Sequence, residues 1–128
     1  MSLVDANIIL RYILWDHEDL AEKAKEIIEH EVIELPFEVI AEVVYVLEGL
    51  YGVERGEIQE GVLGLLKYPN ISTADREVLQ QAFQIFSAQK LDFVDALLVA
   101  YHRVNKAKVF SFDKKVNKLL GETPDSPK

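Results

Sequence analysis

Apolar residues in this chain fall into two alternating kinds of segment, and that alternation most limits what it can fold into. Four short runs, Ser2-Leu3-Val4, Val32-Ile33-Glu34-Leu35, Pro69-Asn70-Ile71-Ser72 and Lys108-Val109-Phe110-Ser111-Phe112, have the length and composition of strands. Between them lie longer segments whose apolar residues recur at helical spacing, for example Leu20, Ala24, Ile27 and Ile28 on one face. Strands alternating with helices predict an α/β fold with a largely parallel sheet, and in such sheets ligands gather at the carboxyl ends of the strands.

Capping chemistry sets the expected helix boundaries. Asp5-Ala6-Asn7 precedes the apolar residues Ile8 to Leu14, and Asp16 to Asp19 precede the second helix. Pro36 suits the first turn of a third helix over about 36–50, which is apolar nearly all round and so belongs in a core. Gly56, Gly61 and Gly64 weaken the helix expected over 55–67. Asp75 caps a helix carrying Val78, Leu79, Ala82, Phe83, Ile85 and Phe86; another spans about 92–105, and Asp113 starts a last short one. Residues 1–120 read as one domain, and 121–128, with two prolines and no apolar side chain, as a frayed tail.

The 128 residues are enough for a core without disulfides, and the absence of cysteine excludes a thiolate nucleophile, a Cys-ligated zinc and an iron–sulfur cluster. The first apolar run, Ile8 to Trp15, is interrupted by Arg11 and falls far short of the ~20 residues of a membrane span. No basic segment precedes it, so a cytoplasmic protein is expected. The net charge of −8 argues against holding nucleic acid mainly by charge. Its distribution is uneven. Residues 16–60 hold 14 acids against three bases, whereas residues 103–118 hold six bases, Arg103, Lys106, Lys108, Lys114, Lys115 and Lys118, against Asp113 alone. Such a strip is either a solvated face or the border of a site.

Four acids stand out. Asp5 and Asp113 fall at the ends of expected strands, while Glu42 and Asp95 lie within apolar helical segments, where a carboxylate is costly unless paired, hydrogen-bonded or bound to metal. For Glu42 the alternative is a single wet stripe shared with Glu38, four residues back. Asp92 shares a helix face with Asp95, and by itself reads as an N-cap. If the four converge, their repulsion calls for a cation, and clustered oxygens without His or Cys suit Mg²⁺ or Mn²⁺. His17, His30 and His102 have no ligand spacing and read as surface or capping residues. There is no G-x-S-x-G and no phosphate-cradling glycine loop after the first strand.

The stretches Val4-Asp5-Ala6-Asn7-Ile8-Ile9-Leu10, Ala41-Glu42-Val43-Val44-Tyr45-Val46-Leu47, Asp92-Phe93-Val94-Asp95-Ala96-Leu97-Leu98-Val99-Ala100 and Val109-Phe110-Ser111-Phe112-Asp113-Lys114-Lys115 resemble, in order and spacing, those of the PIN domain. Within that family the chain resembles the small ribonuclease toxins of the VapC type. The resemblance spans residues 3 to about 118. It implies a three-layer sandwich with a short central sheet, and a metal site that hydrolyses RNA phosphodiesters. It assigns Asp5, Glu42, Asp95 and Asp113 to the acidic quartet, with Asp92, Asn7 and Ser111 auxiliary. Asp5 and Asp95 are expected as principal ligands of one Mg²⁺ or Mn²⁺, which would activate water and polarise the phosphoryl oxygen. Arg103, Lys106, Lys108, Lys114 and Lys115 are candidates for tracking the RNA backbone. The resemblance further implies a small antitoxin covering the active site, and a homodimer; Trp15, Tyr12, Leu50 and Tyr51 are apolar surface candidates whose commoner place is a core.

Other classes fit less well. A receiver-type phosphoacceptor needs paired acids after the first strand and a central Asp, but Asp5 is alone and no Asp lies between Asp19 and Asp75. An aspartyl-nucleophile phosphatase needs acid-x-acid where this chain has Asp5-Ala6-Asn7. The remaining competitor is a PIN-like scaffold without catalytic activity that acts in a complex.

Overall fold

Carboxylate and imidazole caps start most of the helices, and they mark the elements along the chain. A computed structural model describes residues 1–121, so the expected tail from 122 to 128 lies outside the described residues. Among the described residues the fold is α/β: seven helices and a short parallel two-stranded sheet. The chain groups into two compact units, Met1–Ala74 and the residues from Asp75 onward.

In the first unit, helix α1 (Ala6–Leu14) starts where Asp5 Oδ1 accepts a hydrogen bond from the Ile8 N–H at 3.1 Å, and it buries Ala6, Ile9 and Leu10. Helix α2 (Glu18–His30) is capped by His17, whose Nδ1 accepts from the Leu20 N–H, rather than by an aspartate; Glu18 and Asp19 occupy its first turn. Strand β1 (Ile33–Glu34) is followed by helix α3 (Phe37–Gly49), with Pro36 at the N-cap. Helix α4 (Arg55–Leu65) follows a turn in which Gly52 takes φ +61°, a conformation costly for other residues. Strand β2 (Ile71–Ser72) pairs parallel with β1, Ile33 against Ile71 and Glu34 against Ser72.

The expected first strand, Ser2 to Val4, contributes a single bridge: the Ser2 N–H donates to Val32 O, and the Glu34 N–H donates to Ser2 O. It is cut short because Asp5 already turns the chain into α1. Asn70 joins two elements by donating from Nδ2 to the carbonyls of Ile28 and Glu31, which satisfies the end of α2. Three of the four apolar surface candidates are exposed, Leu50 most of all at 77%, with Trp15 and Tyr51; Tyr12 is half-buried.

In the second unit, helix α5 (Arg76–Ala88) starts at Asp75, whose Oδ1 accepts from the Val78 N–H and whose Oδ2 accepts from Asn105. Helix α6 (Phe93–Asn105) packs along it, and helix α7 (Lys114–Gly121) packs on α6 through the buried residues Val116 and Leu119. The expected helix boundaries hold to within a residue or two. The last expected strand does not form: 107–112 is irregular chain. Local side-chain bonds take the place of a ladder there, with the Asp113 N–H donating to Ser111 Oγ at 2.9 Å and Asn117 Nδ2 donating to Ser111 O at 2.8 Å. Val109 and Ser111 are half-buried, while Phe110 and Phe112 face solvent.

Phe93 ties this core to the acids beside it. It is the first residue of α6, is buried, and lies with its ring centroid 4.8 Å from that of Phe83 and 5.7 Å from that of Phe86. Replacing Phe93 by Ala is expected to cost about 3–5 kcal/mol, read by urea unfolding. A loss below about 1 kcal/mol would show that the start of α6 is held by something else.

Candidate functional site

Three of the sequence-selected acids come together in the second unit. Asp92, Asp95 and Asp113 line one open cleft of about 270 Å³, with Lys90, Lys114 and Lys115 around them. Each reaches it for a local reason. Asp92 is the N-cap residue of α6, but its side chain makes none of the capping hydrogen bonds expected of it; its carbonyl makes only the helix's first bond, from the Ala96 N–H. Asp95 lies in the first turn, where the helix dipole favours negative charge. Asp113 stands at no strand end; it caps α7, with Oδ1 accepting from the N–H groups of Lys115 at 2.8 Å and Val116 at 3.0 Å. Ser111 Oγ holds the Asp113 backbone, so Ser111 positions this acid through the main chain.

Electrostatics marks Asp95 as the strained member. Its half-buried setting disfavours the charged form and raises its pKa, and the charges of Asp92 and Asp113 raise it further. The lysines of the rim do not relieve this by contact. Among the described residues none stands within ion-pair distance of the three acids. Lys115 Nζ instead donates to Lys90 O at 3.1 Å. Anions and cations thus face one cleft without neutralising each other in pairs, unlike the compact ion-pair network of a purely structural cluster.

The first unit carries the other candidates. Asp5 lines an open groove with Leu3, Val4, Ile8 and Ile27 and with the titratable residues Glu26, His30 and Glu31, and spends Oδ1 on the α1 cap. Asn7 is exposed in the first turn of α1. Glu42 is exposed on α3, in line with Glu38 and with Tyr45, which is 77% exposed. The wet-stripe alternative therefore describes Glu42, and the argument from a carboxylate buried in a core helix does not apply to it. Glu42 does not line the Asp5 groove.

Of the basic strip, Lys114 and Lys115 reach the acid cleft, whereas Arg103, Lys106 and Lys108 do not line it. Arg103 is half-buried and donates to Leu119 O, a clamp between α6 and α7. Lys106 ends α6 with φ +57°, and Lys108 is exposed. Lys90 is the cleft residue that reading the strip misses; its only signal is its place two residues before Asp92. No histidine lines the cleft of Asp92, Asp95 and Asp113: His17 caps α2, His30 lies 3.3 Å from Glu26 and lines the Asp5 groove, and His102 Nδ1 donates to Ala107 O.

The sequence profile described as "PIN domain" matches residues 2–120, nearly the whole chain. The chain belongs to the PIN domain family. No curated protein and no solved structure matches it significantly. PIN domains are generally nucleases that use divalent metal ions. The donor set in this PIN domain's cleft is all oxygen, the chemistry of Mg²⁺ or Mn²⁺ and not of zinc. Among the described residues, however, no three His, Asp or Glu side chains are grouped tightly enough to hold one ion together. The donors fit an ion that keeps several waters and takes one or two carboxylates, as Mg²⁺ does.

Asp95 yields a prediction about stability. The folded chain binds the Asp95 proton more tightly than the unfolded chain, because its pKa is raised in the fold. Below the ordinary carboxyl range both states carry the proton and the effect vanishes. As pH rises from the ordinary value through the raised one, the unfolded chain ionises first, so this group's contribution to stability falls. In EDTA at neutral pH, Asp95→Asn should be slightly more stable than the parent, by about 0.3 kcal/mol of relieved like-charge repulsion, and thermal melts should show it without the fall in stability that Asp95 contributes as pH rises through the carboxyl range. A less stable variant would contradict this account of the cleft.

Proposed function

We propose that this PIN domain is a divalent-metal-dependent endoribonuclease, the toxin of a type II toxin–antitoxin pair similar to the VapC type, acting in the cytoplasm as a homodimer. The observation that carries the nuclease reading is the cleft in which Asp92, Asp95 and Asp113 stand among Lys90, Lys114 and Lys115 without contact ion pairs. Such a surface complements a cation and a phosphodiester taken together. Asp95 and Asp113 are the ligands proposed in this cleft, with Asp92 auxiliary; the family's motif adds Asp5 and Glu42 to the same reaction. Mg²⁺ or Mn²⁺, when bound, supplies Lewis acidity at the phosphoryl oxygen and lowers the pKa of its water.

The chain's own residues do the rest. Asp113, fixed by two backbone N–H groups and by Ser111, presents its second oxygen at a set position. Lys114 and Lys115 offset the negative charge of an approaching phosphate. No histidine faces the cleft, so the carboxylates themselves orient the attacking water. The exposed residues Trp15, Leu50 and Tyr51 supply apolar surface for the proposed homodimer, and the proposed antitoxin covers the acids.

A second reading, the inactive scaffold, is favoured by one observation: the lack, among the described residues, of a ready three-ligand group. Cleavage assays separate the two. Purified protein should cut RNA, transfer RNA included, with Mg²⁺ or Mn²⁺ and not with EDTA. Asp95→Asn and Asp5→Asn should each lower the rate by about 100-fold or more while circular dichroism stays unchanged. Full activity in both variants would remove the assigned acids from the reaction. No cleavage, together with no Mn²⁺ uptake in a calorimetric titration, would establish the scaffold.

A further inference from the structure

A second cleft in the same unit adjoins the acidic one and has the opposite character. It encloses about 450 Å³, is bordered by Lys90, Lys115 and Lys118, and contains no acid. Leu91 and Leu119 give it an apolar lining, and Gln89 adds an amide. Lys90, Leu91 and Lys115 line both clefts, and the hydrogen bond from Lys115 Nζ to Lys90 O braces the partition. Among the described residues none of these lysines is within ion-pair distance of a carboxylate. Three cations thus gather at one cleft whose own lining holds no carboxylate, in a chain of net charge −8.

We infer that this basic cleft is a phosphate subsite for the RNA strand, holding the nucleotide next to the one whose phosphate is cut in the acid cleft. The inference rests on the nuclease reading and deepens it. Three observations converge. The lysines supply an anion site, and the apolar lining with its volume accommodates a ribose or base beside the phosphate, within the usual size of ligand pockets. The shared wall makes the two clefts consecutive along one strand. A single strand fits because its backbone can bend from one cleft into the next, whereas duplex geometry is fixed. Lys90 and Lys118 become binding residues, and Lys115 serves both clefts.

The test measures binding of a short fluorescein-labelled single-stranded RNA by anisotropy, in EDTA to stop cleavage, across a range of salt concentrations. Removing one lysine that neutralises a phosphate of a single strand flattens the slope of log K against log salt by roughly 0.7, so Lys90→Ala/Lys118→Ala should flatten it by about 1.4 and weaken binding at low salt. Lys90→Arg/Lys118→Arg should restore the slope. Lys23→Ala/Lys25→Ala, an equal charge change on exposed positions of α2, should leave it at the parent value. An unchanged slope in the Lys90/Lys118 alanine variant, or an equal loss in the Lys23/Lys25 control, overturns the subsite. Parent protein that still cuts RNA with Mg²⁺ in that case keeps the nuclease reading intact. Parent protein that neither binds nor cuts RNA overturns both.

Discussion

The packing of Phe93 against Phe83 and Phe86 is the interaction on which the second unit's chemistry depends. Carboxylates that repel one another do not assemble by their own attraction. Something else must fix where they stand. Here an aromatic cluster anchors the first residue of α6, so Asp92 and Asp95 project from a helix start that cannot drift outward. Asp113 is fixed differently, by backbone N–H groups that it caps at the start of α7. Apolar burial and helix capping thus offset the desolvation and the like-charge repulsion that raise the Asp95 pKa.

Much of this was legible in the sequence. The helices were, because caps and apolar spacing are local signals; Asp5, Asp75 and Asp113 each accept the bonds their positions foretell. The pair Asp92 and Asp95 could be placed on one helix face by counting. The strands were less legible. Alternation in Lys108–Phe112 has the right period, but a strand needs a partner, and the bonds to Ser111 give that backbone a local alternative. The exposure of Glu42 was hard to read for the opposite reason. A helix with few polar residues reads as buried all round, yet one stripe through Glu38, Glu42 and Tyr45 is enough to face water. Lys90 carried no signal beyond its neighbours, since its value comes from what α7 brings beside it.

Charge in this PIN domain is organised by place and not by sum. The acidic excess lies along residues 16–60, while the second unit sets lysines and carboxylates around adjoining clefts. Within the second unit the field of those lysines acts over about a Debye length, roughly 8 Å at physiological salt. The capping roles of Asp5 and Asp113 add a further separation of effects. Asn caps a helix about as well as Asp, so replacing either acid by Asn removes charge while keeping the turn. Alanine would remove both.

The irregular segment 107–112 has a colloidal consequence. Phe110 and Phe112, 85% and 107% exposed, lie on irregular chain whose sequence keeps a β-type alternation, a pattern that favours pairing with a neighbouring molecule's backbone. Lys106 and Lys108 precede it, and Lys114 and Lys115 follow it. Placed there, the lysines act as gatekeepers, because two copies approaching strand to strand must bring like charges together. Salt screens that repulsion. Concentrated stocks of this protein should thus keep best in low-salt buffer, where the segment's own flanking charge holds the molecules apart.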